Sequence, residues 1–278
     1  MIASVLTKAL LRTAPNFATG RRFLCEAFSR TPQAFREADA TLFTGQRVRV
    51  DLSEYVGQEI LAHGAFERAA CELVRDHLRV GDVFLDVGGH LGLYTLISAQ
   101  KVGPSGHVHV FEPGDKRRRL LEINVRQNNL AYVTINNAAV GSHSGSAIFL
   151  EGPARNLGTS RVVENADSTQ GPTVTLVSLD EYLAHHAIHR VGGVKVDVEG
   201  AEFGVFQGAQ RMLAHSPPRF ILYETEASMA ARYGTTPKQI HDLLRDHGYR
   251  LRAFVNRQLV DFESAPSAND FFATLPEA

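Results

Sequence analysis

The sequence predicts an α/β domain, a largely parallel sheet with helices on both faces. Three observations lead there. The apolar run Val83-Phe84-Leu85-Asp86-Val87 is followed by the loop Gly88-Gly89-His90-Leu91-Gly92, an amphipathic segment, and a second apolar run, Val108-His109-Val110-Phe111-Glu112-Pro113, which together read as a βαβ nucleotide-binding unit. Strand-like and helix-like stretches continue to alternate beyond it. Two later runs, 193–198 and 219–226, also close on acids, as strand ends facing a ligand crevice do.

The elements follow in chain order. Residues 1–30 carry Lys8, Arg12, Arg21, Arg22 and Arg30 against the single acid Glu26, with Ile2, Val5, Leu6, Ala9 and Leu10 at helical spacing. A helix docked on its own domain is the first reading of this segment, and peripheral membrane contact is the second. The acid-poor start also resembles an organelle transit peptide, and it lacks the long apolar centre of a secretory signal. Residues 46–52 alternate like an exposed strand, and 66–78 have helical periodicity up to the turn at Val80-Gly81-Asp82. The chain therefore divides into a basic amphipathic extension, 1–45, and a main domain, 46–278, whose core begins near 65.

Within that domain the spacing predicts a strand at Val83–Val87, a helix over 91–102, a strand at 108–112, a helix over 115–128 and a strand at Val133–Asn136. A polar stretch, 141–173, interrupts the pattern. Apart from the strand-like 146–150 it offers little apolar periodicity, so it reads as a hairpin and mobile loop inserted over the site, a natural place for acceptor specificity. The alternation resumes with a strand from 193, a helix over 201–213 and a strand over 219–226. A helix over 236–247 follows, with Thr236 as N-cap before Pro237 and Gly248 as its stop, and 249–255 and Asp270–Thr274 complete a seven-stranded sheet with one antiparallel edge.

Composition limits the choices. With 278 residues, 44% hydrophobic, and a net charge of −1, one α/β domain plus an extension fits better than two equal domains, and nothing points to nucleic acid. The two cysteines, Cys25 and Cys71, argue against a disulfide framework or a thiolate zinc site and suit a reducing compartment. No apolar run is long enough to span a bilayer. The expected location is cytoplasmic, with membrane or organelle association through the N-terminal segment as the alternative.

The glycines favour one cofactor class. A strict G-x-G-x-x-G fingerprint needs glycine where this chain has His90 and Leu93, so approach to a pyrophosphate is weakly supported. The spacing of Asp86, Gly88, Gly89 and Gly92 suits a cofactor without phosphates, with the loop beside a methionine-like tail. Glu112 would take both ribose hydroxyls, a strong charge-assisted contact. S-adenosylmethionine is the cofactor these residues favour. A plain strand-to-helix turn needs glycines too, with Asp86 as a cap and Glu112 as a solvated strand end. His90 is read as either a loop residue or a catalyst.

Lys195, Asp197 and Glu199 alternate along Gly193-Val194-Lys195-Val196-Asp197-Val198-Glu199-Gly200-Ala201-Glu202, which predicts three charges on one face at a strand's carboxyl end. Such charges are costly unless used or paired. A Lys195–Asp197 ion pair that only holds the strand end is the alternative. Glu224, closing the run Arg219-Phe220-Ile221-Leu222-Tyr223-Glu224, is placed on the acceptor side of the same crevice.

Four segments together resemble the FkbM-type S-adenosylmethionine-dependent methyltransferases: Gly81-Asp82-Val83-Phe84-Leu85-Asp86-Val87-Gly88, Val110-Phe111-Glu112-Pro113, Val177-Ser178-Leu179-Asp180-Glu181-Tyr182-Leu183 and Lys195-Val196-Asp197-Val198-Glu199-Gly200-Ala201-Glu202. The resemblance runs from about Glu54 onward, and the Lys-x-Asp-x-Glu-Gly segment is its most specific mark. It implies a class I methyltransferase fold and transfer to a hydroxyl of a sugar, polyketide or similar small metabolite. Relatives often carry Ala-Asn where this chain has Gly89-His90.

Such transfer needs alignment of the acceptor oxygen, exclusion of water and removal of a proton. Asp197, Glu199 and His90 are the candidate bases. A divalent metal on Asp197 and another acid is the less favoured route, because no complete ligand set is visible. Three other classes compete: an NAD-dependent oxidoreductase, which would share the sheet and the ribose acid, a non-catalytic cofactor-binding module, which would not need the converging charges at Lys195, Asp197 and Glu199, and a membrane-anchored scaffold, which would rest on the N-terminal segment alone.

Overall fold

The computed structural model describes residues 27–152, 160–163, 171–265 and 267–276. The amphipathic stretch 1–26 and most of the predicted loop between 153 and 170 lie outside them. The described chain opens with a short helix, α1 (Gln33–Arg36), the antiparallel pair β1 (Glu37–Thr41) and β2 (Arg47–Asp51), and helices α2 (Tyr55–His63) and α3 (Arg68–His77). Next come β3 (Val83–Val87), α4 (Leu93–Val102), β4 (His107–Phe111), α5 (Asp115–Gln127) and β5 (Val133–Asn136). After β6 (Ala138–Val140), β7 (Gly145–Leu150), β8 (Arg161–Val163), β9 (Thr173–Val177) and α6 (Leu179–His185) the main pattern returns with β10 (Gly193–Val196), α7 (Glu202–Gln207), α8 (Gln210–His215), β11 (Phe220–Glu224), α9 (Ala227–Ala230), α10 (Pro237–Asp246), β12 (Arg250–Val255), β13 (Gln258–Asp261) and β14 (Asp270–Thr274).

The main sheet has eight strands in the order β13-β12-β14-β11-β10-β3-β4-β5. From β5 to β11 every pairing is parallel; β14 runs antiparallel between β11 and β12. The expected count of seven with an antiparallel edge is therefore corrected. Leu259 and Val260 pair with Phe254 and Ala253 across the two-residue turn Asn256-Arg257, which makes the eighth strand. Phe271, Phe272 and Ala273 are fully buried, as suits a sheet covered on both faces, and pairing with β11 on one side and β12 on the other makes β14 interior.

One apolar layer, with Leu61, Val74, Leu96, Ile97 and Leu121, packs on one face of the sheet, and another, with Leu183, Val205, Phe206, Leu213 and Leu244, packs on the other. Helix α4 is buried along nearly its whole length, which is why its pattern lacks a polar stripe. The β1–β2 pair covers it, and Gln46 donates to the Leu96 carbonyl at 3.0 Å. Asn124 of α5 ties this cover down by accepting from the Arg49 amide at 2.7 Å and donating to the Leu91 carbonyl at 2.8 Å.

A second sheet, in the order β6-β9-β7-β8, joins β6 (Ala138–Val140), β7 (Gly145–Leu150), β8 (Arg161–Val163) and β9 (Thr173–Val177), followed by α6 (Leu179–His185). The predicted helix over 201–213 is two helices. A Cβ on Gly208 would lie 2.1 Å from the Gly141 carbonyl oxygen, and at this close approach the Asp180 amide takes the Gly208 carbonyl at 2.8 Å. The Asp180 carboxylate then accepts from the Arg211 and Met212 amides, capping α8.

Gly193 opens β10 under an aromatic stack. Phe220 lies parallel to Phe84 and Phe272, with centroids 6.3 and 5.5 Å away, and a Cβ at Gly193 would sit 2.2 Å from the Phe220 ring. Gly193→Ala is expected to destabilise the fold by about 1–3 kcal/mol through overpacking, read as a lowered urea midpoint; an unchanged midpoint would show that the stack can yield.

Candidate active site

The loop after β3 is held by backbone approach. The Gly88 and Gly89 amides both donate to the Phe111 carbonyl at 3.0 Å, so the loop folds over the end of β4. Gly88 has φ 82°, and a Cβ there would lie 1.8 Å from the Asp197 carbonyl oxygen, a space that admits only glycine. Asp86 is fully buried; one carboxylate oxygen accepts from the Thr95 hydroxyl at 2.5 Å and the other has no hydrogen-bond partner in the structure. Burial raises its pKa, against the pull of Lys195.

Glu112 follows β4 and is only 2% exposed. Its Oε2 accepts from the His90 amide at 2.9 Å and its Oε1 from the Gly114 amide at 2.8 Å. Two oxygens with four lone-pair sites keep capacity for further donors. The His90 ring points elsewhere. Its Nε2 is 2.8 Å from Glu54 Oε2, just before α2, and the residue adopts φ 51°. Burial opposes ionisation of Glu54, yet His90, Arg117 and Arg36 together hold its pKa below the usual glutamate value.

Lys195 lies within β10, buried, with Nζ donating to the Gly88 carbonyl at 2.7 Å and pairing with Asp197 Oδ2 at 3.1 Å. Nζ also stands 5.6 Å from the Tyr94 ring centroid. Burial works against its charge, but Asp197 and Asp86 win and its pKa is raised. The expected alternation stops there, because β10 ends at Val196 and Glu199 turns left-handed with φ 59°. Glu202 imposes the turn: its Oε1 accepts from the Val198 amide at 3.0 Å and the Gly200 amide at 2.9 Å. Glu199 is thereby separated from the other two charges.

Two clefts meet at Asp197. The smaller, about 50 Å³, is lined by Gly88, Glu112, Arg117, Phe149, Ser160 and Glu199, among others. Arg117 is buried in it and donates to the Ser160 hydroxyl at 3.2 Å, so the second sheet supplies part of its wall. Burial, reinforced by Asp197, raises the Glu199 carboxyl to about 8. The larger, about 190 Å³, is lined by Glu67, Tyr94, Lys195, Asp197, Glu224 and Asp270, with Asn256 and Arg257 beside them. There burial, then Asp197 and Asp270, raises Glu224 to about 9, and burial with Asp197 raises Asp270 to about 6.

The sequence-predicted residues thus fall into groups. Gly88, Glu112 and Glu199 line the smaller cleft, Lys195 and Glu224 the larger, and Asp197 both; His90 lines neither. Asp86, Gly89 and Gly92 support the loop from beneath, with Gly92 at φ 97° opening α4. Glu54, Glu67, Tyr94, Arg117 and Asp270 were not anticipated. Glu54, Glu67 and Asp270 arrive from distant segments with no motif of their own, and Tyr94 and Arg117 sit on the helices that follow the glycine loop and Glu112. Among the described residues, no group of three or more His, Cys, Asp or Glu is arranged to hold a metal ion, and no helix is long and apolar enough to cross a membrane.

Residues 86–251 match the family described as the methyltransferase FkbM domain. Over 182 residues the chain is 30% identical to the hexuronic acid methyltransferase AglP of Haloferax volcanii, covering 65% of this chain and 68% of that protein. Over 270 residues it is 26% identical to the AMB antimetabolite synthetase AmbE of Pseudomonas aeruginosa, covering 82% of this chain and spanning 12% of that protein's length. A solved structure of an S-adenosylmethionine-dependent O-methyltransferase from Thermotoga maritima superposes with a TM-score of 0.42 at 14% identity, covering 91% of this chain and 97% of that one.

Proposed function

Since the chain belongs to the FkbM family of S-adenosylmethionine-dependent methyltransferases, we propose that it methylates a hydroxyl oxygen of a small polyhydroxylated metabolite, a sugar or sugar acid, by direct in-line transfer. One observation carries this reading: Asp197 forms a wall common to a cleft lined by Glu112 and a cleft lined by carboxyl groups. The name of the relative AglP, a hexuronic acid methyltransferase, supports the acceptor class.

The smaller cleft, at about 50 Å³, takes only part of the cofactor, and the residues around it suit the ribose. Glu112 is anchored by two amides, has acceptor capacity to spare for a ribose diol, and stands beside a loop whose backbone is fixed by the glycine at 88. Gly88, Glu112 and Glu199 would hold it, with Phe149 and Val140 as apolar walls. When bound, S-adenosylmethionine supplies a methyl group already activated on a sulfonium centre.

The protein's own tasks are then positional. Lys195 locks the Gly88 carbonyl to Asp197, which fixes the two clefts relative to each other. Asp197 offers its free carboxylate oxygen to a second hydroxyl of the polyhydroxylated acceptor and so orients the reacting one. Glu224, raised to about 9, is protonated at neutral pH and donates a hydrogen bond to a neighbouring acceptor oxygen. His90 serves the donor side through its amide on Glu112, and its ring anchors the loop to Glu54.

Calorimetry with S-adenosylmethionine and NAD tests the donor assignment. The wild-type protein should bind the former and not the latter, and Glu112→Ala should weaken binding by about 1.5–3 kcal/mol through loss of a charged hydrogen-bonding partner. Equal affinity in the variant would remove Glu112 from the cofactor site, and preference for NAD would overturn the reading. Mass spectrometry of a metabolite extract incubated with the enzyme should then show a product heavier by one methyl group.

A further inference from the structure

The larger cleft contains a carboxyl group that none of these roles uses. Glu67 stands just before α3 with φ 48°, a left-handed conformation that a glutamate rarely adopts. Backbone strain of this kind persists where surrounding structure holds it, and it clusters at active sites. The bend turns the side chain onto the cleft wall shared with Lys195, Asp197, Glu224 and Asp270, where the Tyr94 hydroxyl donates to its Oε2 at 3.0 Å.

The other acids are poorer proton acceptors. Asp197 is engaged by Lys195, and protonating it would break that pair. Glu199 lines the other cleft. Glu224 already carries a proton at neutral pH. Asp270, at the head of β14, is pushed up only to about 6 and is a weaker base than Glu67.

Resting on the methyl-transfer reading above, we propose that Glu67 takes the proton from the acceptor hydroxyl during transfer. The acceptor oxygen's electron pair forms the new bond to the methyl carbon, the carbon–sulfur bond breaks with its electrons left on sulfur as a neutral thioether, and the proton passes to the Glu67 carboxylate. The groups around Glu67 suit that task. Burial among the cleft walls, then Asp270 and Asp197, push its pKa up to about 7, while Tyr94 and Lys195 pull it down. Glu224 across the cleft and Cys71 on the same helix are the other titratable neighbours coupled to it. A base with a pKa near the working pH combines an adequate ionised fraction with adequate basicity.

The test uses tritium-labelled S-adenosylmethionine and the small-molecule fraction of a cell extract, with initial rates followed against pH. The wild-type rate should fall as pH drops through about 7. Glu67→Gln should lower the plateau by about 10²-fold and flatten that acid limb, with Glu67→Asp recovering part of the loss. Calorimetric affinity for S-adenosylmethionine should stay at the wild-type value in both variants. In the free protein labelled with carboxyl-¹³C glutamate, Glu67, Glu199 and Glu202 should all titrate near neutrality, and one of these resonances should vanish in Glu67→Gln while the other two remain. An acid limb kept in Glu67→Gln, or lost in Asp270→Asn instead, would overturn the assignment of Glu67. No label transfer by the wild-type enzyme would overturn it together with the methyl-transfer reading.

Discussion

Asp197→Asn should lower turnover by about 10²-fold while leaving affinity for S-adenosylmethionine near the wild-type value. The side chain keeps its shape, and its amide oxygen can still accept from Lys195 Nζ, now 3.1 Å from Oδ2. What disappears is the negative charge at the junction of the two clefts, and with it the strongest acceptor available to orient an incoming hydroxyl. The donor contacts assigned to Glu112 and the glycine loop are untouched, so kcat and the cofactor Kd should separate. Stopped-flow or steady-state rates paired with calorimetry decide the matter. Equal turnover in the variant would reduce the Lys195–Asp197 pair to a device that holds the strand end.

Lys195→Met should have the larger effect on the fold itself. The ammonium is buried and serves three partners at once: the Gly88 carbonyl, Asp197 and, by charge, Asp86. Methionine fills a similar volume but leaves the Gly88 carbonyl without its lysine donor and two carboxyl groups without a counter-charge. Removing one member of a buried pair costs about 3–5 kcal/mol, and the low end applies because Asp197 keeps access to cleft water. Chemical denaturation should therefore show a loss of about 3 kcal/mol. A variant as stable as the wild type would mean that the loop after β3 is fixed by the Phe111 and Glu112 contacts alone. The two substitutions share one contact, so their effects should not add.

How much of this was readable in the sequence depended on the range of the interaction that sets each feature. The loop 86–92 and the acid at 112 are legible because one turn and one strand end place them, within a single βαβ unit. Glu199 misled the alternation rule for a local reason that periodicity does not encode: the Glu202 carboxylate captures two amides and turns the chain. The break at Gly208 depends on Gly141, and the burial of α4 on all sides depends on the β1–β2 cover, both contacts across many residues. Glu67, Tyr94 and Asp270 converge only once α3, α4 and β14 have been packed around β10. No single segment announces a site assembled in that way.

The interior position of β14 sets an order of events during synthesis. Its two neighbours, β11 and β12, both precede it in the chain, so as the polypeptide leaves the ribosome the gap between them stays open until residue 274 has emerged. The β12–β13 hairpin has no place in the sheet before then, and the parallel half carries an unpaired edge along β11. Asp270, at the head of that strand, reaches the cleft last. A nascent chain can thus display the glycine loop and Glu112 while the larger cleft is still unbuilt, and the cleft closes only when β14 enters the sheet.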